Sequence, residues 1–319
     1  MGDKLSNDIP QSNVTPESYL SDVQNSVNQL TCFREITEPE ILGLLQGLVA
    51  SKASGIDGIS AKILKIAAPS ITPSIVSIFN QSIATGIFPS DWKVARVAPI
   101  HKTGAKHDME NYRPISVISI IAKIMKKLIH NQLYDYLIAS NLLTNSQHGF
   151  RPCHSTTTAL LDITNRWYQN MDVGQLNGVV FLDLKKAFDT VDHNILPKKL
   201  KIDGIKGMAL CWLRSYLSDR IQYCQINGHL SDPLTVKTGI PQGSGLGPLL
   251  FLIYINDFPK CLRHTRPDMF ADDTQIATSN SDINVILENL NTDLINVSTW
   301  MSANKLTLNN KKNGVHGYR

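Results

Sequence analysis

Paired cysteines are missing from this 319-residue chain: its five cysteines, Cys32, Cys153, Cys211, Cys224 and Cys261, are widely spaced and never form C-x-x-C. That pattern argues against a disulfide framework and a structural zinc site, and fits reduced thiols in an intracellular protein. The polar N-terminus, residues 1–13, lacks the apolar core of a secretory signal. The longest strongly apolar stretches, 115–125 and 246–255, fall short of the roughly 20 residues of a spanning helix, so no membrane anchor is expected. No internal repeat or low-complexity tract occurs, which excludes solenoids and arrays.

What is present is a globular composition, 42% hydrophobic and 18% charged, with an uneven charge. Residues 1–40 hold two basic residues (Lys4, Arg34) against seven acidic ones, which leaves 29 basic against 20 acidic, or +9, on the remainder. Eight of those cations, Lys93, Arg96, Lys102, Lys106, Arg113, Lys123, Lys126 and Lys127, fall between 93 and 130, against only Asp108 and Glu110. Such a cluster attracts polyanions, although a lone basic run is more often a solvated face. The histidine pairs His101/His107 and His148/His154 stand six apart, not a usual zinc spacing.

Periodicity and punctuation predict mixed helices and short strands. Residues 1–30 read as a weakly ordered lead-in. Thr37 caps a helix carrying Ile41, Leu44, Leu45 and Leu48. A second helix covers about 60–85, interrupted by Pro69 and Pro73. A strand at 94–100 and a polar loop at 101–111 precede a helix over 116–137. Ser155 caps another helix, and 178–184 is a continuous apolar run with one acid inside it, the look of a sheet-centre strand. Helices near 192–201 and 207–217 follow, although Pro197 is awkward unless it lies in a first turn. Strands at 220–227 and 233–238 flank an Asn227-Gly228 turn. A helix at 246–256 with Pro248 in its first turn, a hairpin at 268–277 and a helix at 283–303 complete an α+β fold.

The carboxylates carry the chemistry. Asp183 lies inside Val-Val-Phe-Leu-Asp-Leu, where burial of a charge is costly unless a cation meets it. A Lys or Arg partner would make it structural; a metal would make it catalytic. Asp272 and Asp273 sit at the hairpin tip, where like charges repel unless neutralised. Converging, these acids supply the hard oxygen ligands that Mg²⁺ prefers. Alone, each motif is weak, since hairpin tips often carry solvated acids.

Ordered blocks make the case specific: Lys52-Ala-Ser-Gly-Ile-Asp-Gly58, Trp92-Lys-Val-Ala-Arg-Val-Ala-Pro-Ile-His-Lys102, Asn111-Tyr-Arg-Pro-Ile-Ser116 and Gln147-His-Gly-Phe-Arg-Pro152. After them come Phe181-Leu-Asp-Leu-Lys-Lys-Ala-Phe-Asp-Thr-Val-Asp-His193, Gly239-Ile-Pro-Gln-Gly-Ser244, Phe270-Ala-Asp-Asp273 and the segment from Trp300 to Leu308. In this order they resemble the reverse transcriptases of non-LTR retrotransposons of the jockey/LINE type, over most of the chain.

The resemblance implies an RNA-directed DNA polymerase with a right-hand fold: a lead-in plus helix at 1–50, fingers at 51–175, an antiparallel-sheet palm at 176–310 and a truncated tail at 311–319. It implies catalysis by Asp183, Asp272 and Asp273, which would hold two Mg²⁺ ions together with the carbonyl of Leu184. Phe188 matches an aromatic beside the sugar C2′, where a bulky ring collides with a 2′-hydroxyl; ordinary core packing is the plainer alternative. Gln242 would lie near the incoming nucleotide, and Arg113 and Lys102 would meet its triphosphate, arginine through its fixed fork of donors, so that the basic stretch 93–130 would be a template and triphosphate surface rather than a merely solvated face. Implied partners are an RNA template, a DNA primer and dNTPs, and the implied compartment is the nucleus.

Asp189, Asp192 and His193 are expected to cap or brace the helix after the strand, and Trp92, Trp167, Trp212 and Trp300 to serve the core. The tail 313–319 is expected to leave no room for the strand, primer-gripping turn and thumb that follow in the family, and Lys311 or Lys312 could stand where the family has a proton-donating lysine. A non-catalytic nucleic-acid-binding module is the alternative function.

Overall fold

The computed structural model describes residues 9, 14–20, 29–241, 245–309 and 314–318, so most of the expected lead-in, and with it Gln242, Lys311 and Lys312, lies outside the described residues. In chain order the helices are α1 (Glu38–Gln46), α2 (Ala61–Thr85), α3 (Ile120–Ala139), α4 (Thr156–Asp172), α5 (Ile195–Ile202), α6 (Gly207–Leu217), α7 (Leu246–Ile255) and α8 (Ile283–Ala303). The strands are β1 (Val94–His101), β2 (Tyr112–Val117), β3 (Leu176–Asp183), β4 (Arg220–Ile226), β5 (His229–Leu230), β6 (Leu234–Val236), β7 (Arg266–Phe270), β8 (Asp273–Asn280) and β9 (Gly314–Tyr318). This is an α+β protein of two compact units with interleaved segments.

The first unit comprises Val23–Ser140 and Leu200–Gly247. Its sheet runs β2-β1-β4-β5, with β6 also on β4. β1 pairs antiparallel with β2 but parallel with β4, a partner more than a hundred residues away. Asn227 and Gly228, at φ 50° and 85°, make the tight reversal that an Asn-Gly pair favours. Phe88 gathers the aromatic core, with ring centroids 5.9 Å from Trp92 and 5.3 Å from both Trp212 and Tyr216.

Glu40 accepts the Thr37 backbone N–H at 2.9 Å, a capping contact that starts α1. α2 departs from expectation, because it runs unbroken through Pro69 and Pro73. Each proline costs about 3 kcal/mol in a helix interior. Burying Leu64, Ile75, Phe79 and Ile83 on one face, at roughly 1.5–3 kcal/mol each, is enough to offset that. α2 is also long and apolar enough, by length and composition, to cross a membrane; a search for unbroken apolar runs passes over it because polar residues interrupt it. Its buried positions recur at helical spacing, the pattern of an amphipathic helix that buries one face.

Two further expectations are corrected here. The helix predicted from 116 begins at Ile120, because Tyr112–Val117 is drawn into pairing with β1. The basic stretch 93–130, expected as a template and triphosphate surface, does not lie wholly at the surface: Lys126 and Lys93 are buried, while Lys102, Lys106, Arg113 and Lys127 are exposed.

The second unit comprises Met1–Asp22, Asn141–Lys199 and Pro248–Arg319. Its sheet has the order β7-β8-β3-β9, so β3 is flanked on both sides, as its apolar run predicts. The pairing of Gly314–Tyr318 with β3 corrects the expectation that the tail leaves no room for a further strand. Five residues suffice because the ladder with β3 supplies the hydrogen bonds. Pro197 is the third residue of α5, in the first turn, where its missing N–H costs nothing. Among the described residues all five cysteines are free thiols; burial pushes the Cys261 thiol up to about 12.

Candidate functional site

Strand alternation sets the site. Side chains at 178, 180 and 182 point to one face of β3 and those at 177, 179, 181 and 183 to the other. α8 covers the first face so closely that a Cβ on Gly178 would come within 2.2 Å of Ile286. On the second face α4 covers only the beginning: Asn177 donates to the Trp167 carbonyl at 3.1 Å and accepts from Asn170 at 2.6 Å. Further along, Phe181 is exposed and Asp183 is half-buried. Among the described residues, this end of the face is thus less covered than its beginning and carries a carboxylate.

The β3–β8 register places Asp183 directly opposite Asp273. β7 and β8 are joined through Ala271 and Asp272, with Phe270 opposite Asp273. Asp183, Asp272 and Asp273 thus meet at one end of one sheet, contributed by the end of β3, a turn and the start of β8. All three offer only oxygen, the donor type that suits a hard divalent cation. Leu184 forms an antiparallel bridge with Leu308. Its hydrogen bonds run from Lys185 N–H to the Thr307 carbonyl and from Asn309 N–H to the Asp183 carbonyl, both 2.8 Å. Neither uses the Leu184 carbonyl, so the three carboxylates and that carbonyl supply oxygen donors of the type a divalent metal takes.

The Asp272 turn is held by a residue that sequence reasoning left without a role. Gln147 is buried, and its Oε1 accepts the N–H groups of Ala271 at 2.9 Å and Gly149 at 2.7 Å. Ala271 has φ 59°, a left-handed conformation that favours glycine, so the turn needs such support. Gly149 is required there, because a Cβ would lie 2.2 Å from the Ala271 nitrogen. The available signal was the Gln147–Pro152 block itself. Asn309 was missed as well: its Nδ2 donates to Asp183 Oδ2 at 2.7 Å.

Phe188 follows β3 in a short 3-10 turn and is half-buried. Its ring stacks on Phe251 with centroids 4.6 Å apart and meets Phe150 edge-on at 6.2 Å. Asp192 braces α5, accepting from Asn194 and Ile195 N–H at 2.7 and 3.1 Å and pairing with Lys305 at 2.6 Å. Burial pushes its pKa up, but Lys305 and those N–H groups outweigh burial and hold it below the ordinary range. Arg113, on β2, and Lys102, just after β1, are exposed and belong to the first unit.

A second polar group lies beside β7. Ligand atoms of His148, Asp162 and Asp268 stand within 4.8 Å of one another, so this group could hold a metal ion. Asp183, Asp272 and Asp273 do not close to that spacing. Arg166, however, already bridges the two acids, at 3.2 Å to Asp162 and 2.5 Å to Asp268. Burial first of all lowers the His148 pKa. An ion there would compete with a guanidinium.

A family model described as Reverse transcriptase (RNA-dependent DNA polymerase) matches residues 100–316, and the chain belongs to that family. Enzymes of this family generally use a divalent metal. The chain is 30% identical over 309 residues to a probable RNA-directed DNA polymerase from transposon BS of Drosophila melanogaster, covering 93% of this chain and 34% of the relative. It is 29% identical over 312 residues to the RNA-directed DNA polymerase from mobile element jockey of the same species, covering 94% and 34%. A probable RNA-directed DNA polymerase from transposon X-element, also of that fly, is 32% identical over 211 residues, covering 66% and 23%. The chain spans about a third of the length of the first two relatives.

Proposed function

We propose that this chain is the polymerase domain of an RNA-directed DNA polymerase, joining dNTPs to a DNA primer 3′-hydroxyl along an RNA template. The observation that carries the reading is the register: Asp183 and Asp273 stand opposite each other beside Asp272, at the less covered end of a sheet inside the family-matched span. In this reading Asp183, Asp272, Asp273 and the Leu184 carbonyl hold two Mg²⁺ ions. Bound there, such ions lower the pKa of the attacking hydroxyl and neutralise charge on the leaving pyrophosphate. The acids supply the negative field that gathers them, the turn held by Gln147 keeps two acids at the tip, and the less covered end of the face admits the primer end.

Phe188 is the sugar gate in this reading. Its ring is braced by Phe251 and Phe150, so it cannot swing aside cheaply for a 2′-hydroxyl. Arg113 and Lys102 meet the triphosphate, and Gln242 approaches the nucleotide. The right-hand division into fingers at 51–175 and palm at 176–310 belongs to the same proposal.

Primer extension on an RNA template with Mg²⁺ and dNTPs tests it. Asp272→Asn should lower extension at least a hundredfold; equal signal from both proteins would sink the assignment. Phe188→Val should admit rNTPs, and unchanged sugar selectivity would remove the gate.

A further inference from the structure

We propose that Asn309 is a positioning residue that presets the Asp183 carboxylate for the divalent cation. This rests on reading Asp183 as a metal ligand. Asn309 grips Asp183 twice, through its backbone N–H to the Asp183 carbonyl at 2.8 Å and through Nδ2 to Oδ2 at 2.7 Å. The first contact fixes the backbone and the second fixes the side-chain torsion, so the carboxylate is held in one orientation.

Asn309 is itself held in place. The Leu184–Leu308 bridge and the Lys185 to Thr307 hydrogen bond align its segment with the end of β3. Just upstream, the Tyr254 hydroxyl donates to the carbonyl of buried Asn304 at 2.7 Å, and Lys305 pairs with Asp192. The carboxamide is therefore delivered by a strap pinned at both ends.

The residue type matters as much as the place. Asp183 faces Asp273 in register, and two neighbouring carboxylates repel. A lysine or arginine at 309 would relieve that repulsion but would also repel a metal. A neutral donor orients one carboxylate oxygen and leaves the negative field intact. Groups that orient metal ligands from behind typically contribute 10–100-fold to metal affinity.

Mn²⁺ titration of the full chain, followed by electron paramagnetic resonance, tests the proposal in Asn309→Leu, which keeps the shape without the donor, and in Asn309→Ala. Both should weaken Mn²⁺ binding about tenfold or more, and Asp183→Asn should weaken it further. Wild-type affinity in Asn309→Leu, whether or not Asn309→Ala is impaired, would overturn the role of the donor. Wild-type affinity in Asp183→Asn would instead overturn the ligand assignment beneath it. Circular dichroism of each variant separates loss of the fold from loss of the site.

Discussion

Two lysines, one in each compact unit, are both only 1% exposed and yet sit in opposite circumstances. In the second unit Lys199 Nζ donates to Asp257 Oδ1 at 2.7 Å and to the Tyr254 carbonyl at 2.6 Å, with the Tyr254 and Trp300 rings 5.1 and 5.4 Å away. In the first unit Lys126 Nζ has no hydrogen-bond partner among the described residues. Its neighbours are the Tyr216 ring at 5.8 Å and the buried guanidinium of Arg220, which shares that ring at 5.2 Å. Burial, reinforced by Arg220 and Lys123, holds the Lys126 amine well below the ordinary lysine range. Arginine cannot escape in the same way, because its guanidinium keeps its charge. Equal burial therefore means an ion-paired lysine in one unit and an amine without an acceptor in the other.

The largest expected effect lies on the paired side. Asp257→Ala would leave Lys199 buried without its counter-ion and should destabilise the protein by about 3–5 kcal/mol, read from urea unfolding. A loss below about 1 kcal/mol would mean the pair is not what holds Lys199. Lys126→Met should act with the opposite sign, raising stability by about 1–3 kcal/mol, because an uncompensated amine is replaced by an apolar stem. If it destabilises instead, Lys126 has an acceptor and the contrast fails.

The pH dependence sharpens the same point. Between the depressed folded pKa of Lys126 and the ordinary value near 10.4, the unfolded chain binds the extra proton. Stability should therefore rise with pH through that window, by at most about 1.4 kcal/mol per pH unit. Below the folded pKa both states are protonated and the full penalty remains. Chemical denaturation at several alkaline pH values should show this slope in the wild type and a flatter one in Lys126→Met. The smallest effect belongs to a third lysine: Lys305, at 44% exposure, pairs with Asp192 at 2.6 Å. Asp192 is buried, but solvent reaches the lysine end and the Asn194 and Ile195 N–H groups still hold the carboxylate, so Lys305→Ala should cost about 1–2 kcal/mol, and a larger loss in the melting curve would show that the strap leading to Asn309 depends on it.

Much of the fold was legible because local physics sufficed. The caps at Thr37 and Ser155, the Asn227-Gly228 reversal and the apolar run around Asp183 are each written in a few adjacent residues. Lys126 was not legible in this way. It stands in a basic run that reads as surface, and its burial depends on where α3 packs. The 112–117 strand was likewise hidden, because pairing with β1 overrode an apolar pattern that continues into the helix. The end of the chain misled for the same reason, since Gly314–Tyr318 becomes a strand only beside β3.

By itself the sequence determined which residues carry oxygen, which carry cations and in what order, and that order identifies the reverse transcriptase family. Only the tertiary structure decided that Asp183 faces Asp273 across a ladder, that Gln147 and Asn309 hold the segments bearing the acids, and that Lys126 is buried without an acceptor. The physical reason is one of range: caps, turns and strand alternation are decided over a few residues, whereas register and burial are decided between residues 90 or more apart.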